Sequence, residues 1–406
     1  MEKRILMLIP ELGVGGVSTV FKNLSKGLSK KHTVLQCTFC ELEDGSKFSY
    51  PKRLSLNVSA GKTAFGKLIR FVQRCVRLSR IIKSYDIHYS ISHMEGANYA
   101  NVLSAGKART ICCIHSSNYL FSNSRFPSIN YLKTRLLMPL ILNRSDIIIA
   151  VSHGIKKILI DRFRIRPEII KVIHNPFDIQ SILIKSEEPL DLEYAPIFKY
   201  PVMITVGRLV EEKNLLTLLA IAAKALKEHT FKLVILGDGY LKDVLPGKSR
   251  DMGLRTYVEE SDTSISDRFD VYFLGYKKNP YPFLRMARIF VLTSVFEGFP
   301  LALCEAMICG LPVMASDCPT GPREILDPRS NPAEYESTSN VTDKIGYLLP
   351  IPYNTNKYSN IDLWVKSLLQ LLNDQQLRIK LSNNGNSRVK DFGYDRILNR
   401  WYSLLD

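Results

Sequence analysis

Residues 288–326 read RIFVLTSVFEGFPLALCEAMICGLPVMASDCPTGPREIL, and they predict a strand, an acidic loop, a helix and a second strand. The first part, residues 289–294, is a run of apolar and β-branched side chains that is typical of a buried parallel strand. Pro300 then stands where proline is favoured, in the first turn of a helix, and a glycine ends that helix before the second buried strand. The pattern therefore predicts a βαβ unit with Glu297 just before the helix and Glu305 within it.

The spacing of these two glutamates indicates ligand binding rather than a catalytic acid and base. Eight residues of helix would separate them by about 12 Å, which is further than the roughly 5 to 9.5 Å of a glycosidase pair. At that distance the two carboxylates can accept hydrogen bonds from hydroxyls at the two ends of one long polar ligand. The helix N-terminus between them offers free N–H groups to an anion such as a diphosphate. A nucleotide sugar has all three groups; the alternative is an ordinary βαβ unit with surface glutamates.

With its flanking residues, this stretch resembles the retaining glycosyltransferases of family 4. The E-x7-E signature of that family is present as Glu297-GFPLALC-Glu305, and Gly310-LPVMAS-Asp317 continues the pattern. The resemblance covers nearly the whole chain and is strongest over residues 201–326. It implies an α/β fold of the GT-B architecture, in which two Rossmann-like domains face each other across a cleft and the C-terminal helix crosses back to the N-terminal domain.

Length and composition agree with a folded protein of two domains. The chain has 406 residues, of which 46% are apolar and 23% are charged, and a chain of this length exceeds a single typical core. We predict an N-terminal Rossmann-like acceptor-binding domain over residues 1–178, which the C-terminal helix 394–405 joins. A linker over residues 179–200 would then lead to a C-terminal Rossmann-like domain over residues 201–390 that binds the nucleotide sugar.

The chain is basic, with a formal net charge of +16, and its excess positive charge lies in the first half. Residues 1–178 hold 28 Lys and Arg against 11 Asp and Glu, a net charge of +17, whereas residues 179–406 hold 27 against 28. The positive charge of the first half suits binding to an anionic membrane surface or to a nucleic acid, but no recognised nucleic-acid-binding motif is present. We therefore expect an anionic membrane surface, and no nucleic acid, as a partner.

Targeting signals and cysteine usage indicate a cytoplasmic protein. The N-terminal apolar stretch, residues 5–10, is too short for a signal peptide, and no run approaches the roughly 20 apolar residues of a spanning helix. The eight cysteines show neither a disulfide framework nor the spacing of a zinc site. We expect the protein to be peripheral on the inner face of the cell membrane.

Residues 62–83 predict a basic amphipathic helix that could provide the membrane contact. Basic side chains recur at intervals of three and four residues, and those predicted to contact the membrane or the acceptor are Lys67, Arg70, Arg74 and Arg77. The predicted apolar face consists of Phe65, Leu68, Ile69, Val72, Cys75, Val76 and Ile82. The alternative is a helix that packs on the sheet and turns its charged face to water.

Three further sites have residue types that suit an anionic ligand. Gly15 and Gly16 form a glycine turn between the first strand and helix, although the G-x-G-x-x-G spacing of a dinucleotide site is absent. His115 ends a strand at the edge of the sheet where α/β ligand sites gather. Arg208 and Lys213 flank a strand-to-helix turn, where two cations and a helix N-terminus would bind phosphate. Each feature also has a purely structural interpretation.

The resemblance implies a role for each of these residues. Arg208 and Lys213 match the G-R-L-x-x-x-K-N pattern of the family and would bind the donor diphosphate. His115 would contact the donor sugar, Glu297 would hold its hydroxyls, and Glu305 would bind the ribose. The remaining donor-binding residues implied by the resemblance are Gly15, Gly16, Gly298, Phe299 and Leu301.

The expected reaction transfers a sugar from a nucleoside-diphosphate donor to a glycan or a polyisoprenyl-diphosphate-linked acceptor. We expect the donor to be a UDP-sugar, because uridine nucleotides are frequent donors in this family. The resemblance implies retained anomeric configuration and a role in the biosynthesis of a surface polysaccharide, such as capsule or O-antigen, or of a glycolipid. Because no D-x-D motif is present, we expect no obligatory metal and no cofactor beyond the donor as co-substrate. The alternatives are a UDP-sugar-hydrolysing epimerase of the same architecture, a nicotinamide oxidoreductase, and a non-catalytic basic binding protein.

Overall fold

A computed structural model of the protein describes the chain except residues 14, 41–51, 60, 62, 105, 116–128, 263, 330–343, 353 and 356–357. The chain divides into two compact units. The first consists of Met1–Phe177 with Phe392–Asp406, and the second of Asp178–Asp391. The surface loop predicted over residues 327–343 lies mostly outside the described residues.

The first unit is built on a parallel sheet. Its strands in the described residues are β1 (Arg4–Leu8), β2 (Thr33–Thr38), β3 (Lys52–Ser55), β4 (Tyr89–His93), β5 (Arg109–Ile114), β6 (Ile147–Ala150) and β7 (Ile170–Val172). They lie in the order β3-β2-β1-β4-β5-β6-β7. The described helices are α1 (Gly16–Leu28), α2 (Ala64–Ser84), α3 (Glu95–Ser104), α4 (Ile129–Leu142), α5 (His153–Asp161) and, from the end of the chain, α14 (Tyr394–Leu405). In β1 the four residues from Ile5 to Leu8 are all fully buried, as expected of a parallel strand covered on both faces.

The last helix, α14, packs on α1, which confirms that the C-terminus returns to the N-terminal domain. The side chains of Leu398 and Trp401 lie in the core of the first unit. The Tyr402 hydroxyl donates to the carbonyl oxygen of Gly27 at 2.8 Å. A Cβ at Gly27 would lie 2.4 Å from the Leu398 side chain, so the absence of a side chain there permits this close contact between the helices.

The second unit contains another parallel sheet. Its described strands are β8 (Val202–Val206), β9 (Lys232–Leu236), β10 (Thr256–Val258), β11 (Val271–Phe273), β12 (Ile289–Leu292), β13 (Val313–Ser316) and β14 (Tyr347–Leu349). Their order is β10-β11-β9-β8-β12-β13-β14. A separate antiparallel pair joins β15 (Asn354–Thr355) to β16 (Tyr358–Ser359). The described helices are α6 (Ile179–Ser186), α7 (Leu215–Ala225), α8 (Leu245–Asp251), α9 (Tyr281–Met286), α10 (Leu301–Ile308), α11 (Pro322–Leu326), α12 (Ile361–Asn373) and α13 (Gln375–Val389). Two Rossmann-like units therefore make up the fold, as the resemblance implied.

Residues 179–200, predicted to be a linker, instead begin the second unit. They contain α6, whose N-cap is Asp178: its carboxylate accepts a hydrogen bond from the Ser181 N–H at 3.1 Å. Two short 3₁₀ turns follow the helix, at Leu192–Tyr194 and Ile197–Lys199. The prolines in this segment suggested a linker, but they lie beyond a helix that an acidic N-cap could have indicated.

Within the described part of the chain, no helix combines the length and apolar character that a bilayer span requires.

Candidate active site

The predicted acidic loop holds Glu297 in a largely enclosed position at the end of β12. Its carboxylate oxygen Oε1 accepts a hydrogen bond from the Ser294 hydroxyl at 2.7 Å and from Lys213 Nζ at 2.6 Å. The side chains of Lys213 and Glu297 are 21% and 10% exposed. The structure therefore brings together two of the residues predicted for the donor site, 84 positions apart in the sequence.

Sheet order explains why Lys213 reaches this loop. Strands β8 and β12 are parallel neighbours, so the loops that follow them emerge at the same edge of the sheet. The Thr293 hydroxyl donates to the carbonyl oxygen of Lys213 at 3.0 Å, and the Val295 N–H donates to that of Glu212 at 2.8 Å. Asn214, with φ of 53°, turns the chain from this loop into α7. The position of the Lys213 ammonium group thus follows from contacts between the two loops.

Arg208 lies in the same loop, but its surroundings differ from those of Lys213. Its side chain is exposed, and no described residue forms an ion pair with it. A small cavity beside it is lined by residues from the ends of β8, β9 and β12, including Gly207 and Lys213. Arg208 is therefore a cation at the sheet edge that remains available to an anion.

A close contact between two glycines shapes the floor of this loop. Gly237 has φ of +143°, and a Cβ there would lie 1.8 Å from the carbonyl oxygen of Gly207. Residue 237 must therefore be a glycine, both to adopt this φ and to leave room for the Gly207 carbonyl group. The turn after β9 thus supports the loop that carries Arg208 and Lys213.

The second glutamate, Glu305, lies inside α10 and is partly exposed. The Tyr281 hydroxyl donates to its Oε1 at 3.3 Å. Burial raises the pKa of the Glu305 carboxyl to about 7, against the lowering effect of the Tyr281 hydrogen bond. The carboxylate of Glu297, by contrast, lies beside the Lys213 ammonium group.

The loop between Glu297 and α10 is fixed from behind by a left-handed glycine. Gly321 has φ of +91°, and a Cβ there would approach Pro300 to 2.7 Å and the carbonyl oxygen of Gly298 to 3.1 Å. Phe299 is buried and Leu301, the first residue of α10, is partly buried. Gly298, Phe299 and Leu301 therefore form a tightly packed turn that presents the start of the helix.

In the first unit, His115 pairs with a second histidine that the sequence analysis missed. His93 Nδ1 lies 2.8 Å from His115 Nε2. Burial lowers the pKa of His115 to about 4, and burial together with His115 lowers the pKa of His93. A signal was present in the sequence, because residues 86–93 and 109–115, both of which predict strands, each end in histidine, as SISH and CCIH.

Among the described residues, His93, Cys113 and His115 have ligand atoms within 4.8 Å of one another, close enough to hold a metal ion. Burial raises the pKa of the Cys113 thiol well above its usual value, which disfavours the thiolate that metals bind. The hydrogen bond between the two imidazoles accounts for their proximity without a metal.

The glycine turn of the first unit leaves its backbone open. Gly15 has φ of +144° and is the N-cap of α1. A Cβ at Gly15 would meet no atom within 4 Å. Packing therefore does not require a glycine here, and the open space beside the Gly15 Cα and the helix N-terminus at Gly16 can admit a ligand.

The structure separates the four basic residues predicted on α2 into two groups. Arg74 donates to the carbonyl oxygen of Val58 at 3.1 and 3.2 Å, and Arg77 donates to that of Leu56 at 2.6 Å. These two arginines hold α2 to the segment after β3, and Arg77 is nevertheless exposed, like Lys67 and Arg70. Contact of all four residues with a membrane or acceptor stays a prediction.

Two family models match the chain. Residues 14–181 match the model described as "Glycosyltransferase Family 4", and residues 200–349 match the one described as "Glycosyl transferases group 1". Among solved structures, Anabaena HepE in complex with UDP-glucose aligns with a TM-score of 0.74 and 17% sequence identity, covering 100% of this chain and 99% of that one. The chain belongs to the GT-B glycosyltransferases. At that identity the structural match establishes the fold alone.

Sequence relatives of this glycosyltransferase span most of its length. An uncharacterised glycosyltransferase of Methanocaldococcus jannaschii is 29% identical over 363 residues, covering 83% of this chain and 84% of the relative. The N-acetylgalactosamine-N,N'-diacetylbacillosaminyl-diphospho-undecaprenol 4-alpha-N-acetylgalactosaminyltransferase of Campylobacter jejuni is 25% identical over 402 residues, covering 96% of each chain. These matches extend over both units of the glycosyltransferase, and they confirm the transferase class predicted from the sequence.

Proposed function

We propose that this glycosyltransferase moves a sugar from a UDP-sugar to a polyisoprenyl-diphosphate-linked glycan, with retention of configuration, in surface polysaccharide or glycolipid biosynthesis. The contact between Lys213 and Glu297 carries the proposal, because it joins the G-R-L-x-x-x-K-N segment to the E-x7-E segment at one edge of the second sheet. The UDP-glucose complex of HepE supports the choice of donor. The diphospho-undecaprenol acceptor named for the Campylobacter relative supports the choice of acceptor.

Arg208 and Lys213 are proposed to bind the diphosphate of the donor. Lys213 has three N–H donors and directs one of them to Glu297, so further donors remain for phosphate oxygens. Arg208 can add a planar, bidentate contact. Both would stabilise the charge that develops on the leaving diphosphate, which is an electrostatic contribution to catalysis.

The carboxylates are proposed to hold the two sugar rings of the donor. Glu297 would accept hydrogen bonds from hydroxyls of the transferred sugar while it keeps its contact with Lys213. Ribose hydroxyls that donate to Glu305 would favour its ionised form, so UDP binding should release a proton from a carboxyl whose pKa is about 7 in the free protein. His115 is proposed to contact the transferred sugar, and the open turn at Gly15 and Gly16 to lie near the diphosphate.

In the proposed reaction, the bond between the anomeric carbon and the phosphate oxygen breaks. A bond from the acceptor hydroxyl oxygen to the same carbon forms on the same face of the sugar. The departing phosphate takes the acceptor proton, so no separate protein base is required. We also propose that no metal or cofactor is required, because Arg208 and Lys213 supply the positive charge. Unchanged turnover in EDTA would support this proposal, and loss of turnover that Mg²⁺ or Mn²⁺ restores would refute it.

A donor screen followed by product analysis tests the proposed chemistry. Thermal shifts with a panel of nucleotide sugars should identify the donor, since ligand binding stabilises the folded state, and NMR coupling constants of the product would report its anomeric configuration. Glu297→Gln and Lys213→Ala should each lower turnover at least about tenfold, or about 1.4 kcal/mol. Lys224→Ala removes an exposed lysine from the same unit and serves as the control. Near-normal turnover in both site variants would refute the donor-site assignment.

We further propose that α2 attaches the enzyme to an anionic membrane surface. Along one side of this helix lie large apolar side chains that are 42–73% exposed: Phe65, Leu68, Ile69, Val72 and Val76. Lys67 and Arg70 are exposed in the same turns. Each basic residue near an anionic surface contributes about 1 kcal/mol, and apolar side chains can insert at the headgroup level.

Liposome sedimentation tests the membrane proposal. Binding should require anionic lipid, weaken with salt, and fall sharply in the variants Lys67→Glu/Arg70→Glu and Leu68→Ser/Val72→Ser. Lys156→Glu/Lys157→Glu on α5 makes the same change in charge and is the control. Arg74 and Arg77 are unsuitable for this test because their substitution would also release the segment after β3. A protein that stays in the supernatant with anionic liposomes at low salt would refute the proposal.

A further inference from the structure

The pair of histidines in the first unit extends from the core to the surface. His93 ends β4 and His115 follows β5, and the two strands are parallel neighbours in which His93 lies opposite Cys113. His93 is completely buried, whereas His115 is partly exposed. Because His93 Nδ1 lies 2.8 Å from His115 Nε2, exactly one proton must lie between these nitrogens when both rings are neutral.

The buried end of His93 indicates which ring supplies that proton. Its Nε2 is inaccessible, and no protein group in the described residues is within hydrogen-bond distance of it. If His115 supplied the proton from Nε2, His93 would carry its own proton on Nε2, as a buried donor without a protein acceptor. Buried donors of this kind are rare in folded proteins. In the other arrangement, His93 Nδ1–H donates to His115 Nε2. His93 Nε2 then carries no proton, and only its lone pair is left without a partner.

Neither ring is a cation at neutral pH, because burial lowers the pKa of both, that of His115 to about 4. A neutral imidazole that accepts at Nε2 carries its own proton on Nδ1.

We propose that His93 is a positioning residue that holds His115 in the Nδ1–H tautomer, so that His115 offers the donor sugar a hydrogen-bond donor and not a base. The part that concerns the sugar rests on the proposed function. In this state the Nε2 lone pair of His115 is occupied by His93 and its Nδ1 already carries a proton. His115 therefore has no nitrogen free to take the proton of the acceptor hydroxyl, and it can interact only with an oxygen acceptor of the ligand.

Side-chain NMR of the ligand-free protein tests the tautomer without any assay of activity. With ¹⁵N-labelled histidine, multiple-bond correlations between ring nitrogens and carbon-bound protons distinguish the two tautomers. Among the seven histidines, the signals of the two paired rings are assigned with the variants His93→Asn and His115→Asn. We expect Nδ1–H for both rings of the pair at pH 7.5. An Nε2–H tautomer of His115, or a protonated ring, would overturn the proposal and leave the proposed transferase function intact.

Kinetics of two isosteric variants test the positioning role. The amide nitrogen of Asn is bonded to Cγ, as Nδ1 of His is, so His93→Asn can still donate to His115 Nε2. The Leu side chain of His93→Leu has nearly the same shape as that of Asn but cannot donate a hydrogen bond to His115 Nε2. We expect His93→Leu to lower kcat/KM for the donor about tenfold and His93→Asn to stay within about threefold of the parent protein, with equal thermal midpoints for the two variants.

The same experiment separates this inference from the proposed function. Equal kcat/KM values for the Asn and Leu variants would overturn the positioning role. Normal turnover in His115→Ala would instead remove His115 from the donor site, whatever the tautomer found by NMR.

Discussion

Replacing Lys213 and Glu297 singly and together should separate their contribution to stability from their contribution to catalysis. Exposed ion pairs contribute about 0–1 kcal/mol, whereas removing one partner of a buried pair costs about 3–5 kcal/mol. With side-chain exposures of 21% and 10%, this pair lies between those limits. We therefore expect Lys213→Met and Glu297→Gln each to lower the free energy of unfolding of the second unit by about 2 kcal/mol.

The double variant should be more stable than the sum of these losses implies. Lys213→Met/Glu297→Gln leaves no unmatched charge, and the Ser294 hydroxyl can still bond the Gln amide in the place of the carboxylate. We expect a loss of about 1–2 kcal/mol in place of an additive loss of about 4 kcal/mol, which is a coupling typical of residues in contact. Turnover, by contrast, should stay at least about tenfold below that of the parent, because both ligand-binding groups are gone.

The two tryptophans of the chain make this measurement specific to one unit. Trp364 is buried in the second unit and Trp401 in the first, so a Trp401→Phe background leaves fluorescence from the second unit alone. Urea titration would give the free energies, and for a unit of about 200 residues the single variants should lose about 4–8 °C in thermal midpoint. Unchanged single variants, or strict additivity in the double variant, would refute the coupling of Lys213 to Glu297.

Three further substitutions test other parts of the structure. Burial raises the pKa of the Glu305 carboxyl from 4.5 to about 7, so the unfolded chain loses this proton at a lower pH than the folded protein does. The free energy of unfolding should therefore fall as pH rises through that window, by about 2 kcal/mol relative to the Glu305→Gln variant. Urea titrations at pH 4.5 and 7.5 would measure this difference. Gly237→Ala should lower the thermal midpoint by at least about 6 °C, since its Cβ would clash with the Gly207 carbonyl, whereas Gly247→Ala on α8, which meets no atom, should be neutral or stabilising; equal midpoints would contradict the close contact. Trp401→Ala should cost about 3–5 kcal/mol in calorimetry of the first unit, and a loss below about 1 kcal/mol would show that α14 contributes little to that core.

The sequence alone identified most elements that carry the candidate site. The strand at 289–294, the turn at Pro300 and the helix containing Glu305 agree with β12 and α10, because apolar runs and first-turn prolines act over a few residues. The elements it missed were short or without clear periodicity, such as β3 and β10. Residues 179–200 were interpreted from their prolines, although the decisive signal was the carboxylate of Asp178 at the start of α6.

Contacts between distant residues required the tertiary structure. The basic residues of α2 share a periodic pattern, yet only Arg74 and Arg77 donate to backbone carbonyls of the segment after β3. The pairing of His93 with His115 depends on the register of β4 and β5. Helical and strand periodicity report which face of an element is apolar, but the order and register of parallel strands determine which side chains meet at the edge of a sheet. The residue types of the candidate site were therefore readable in the sequence, and their hydrogen-bond partners were set by the sheet.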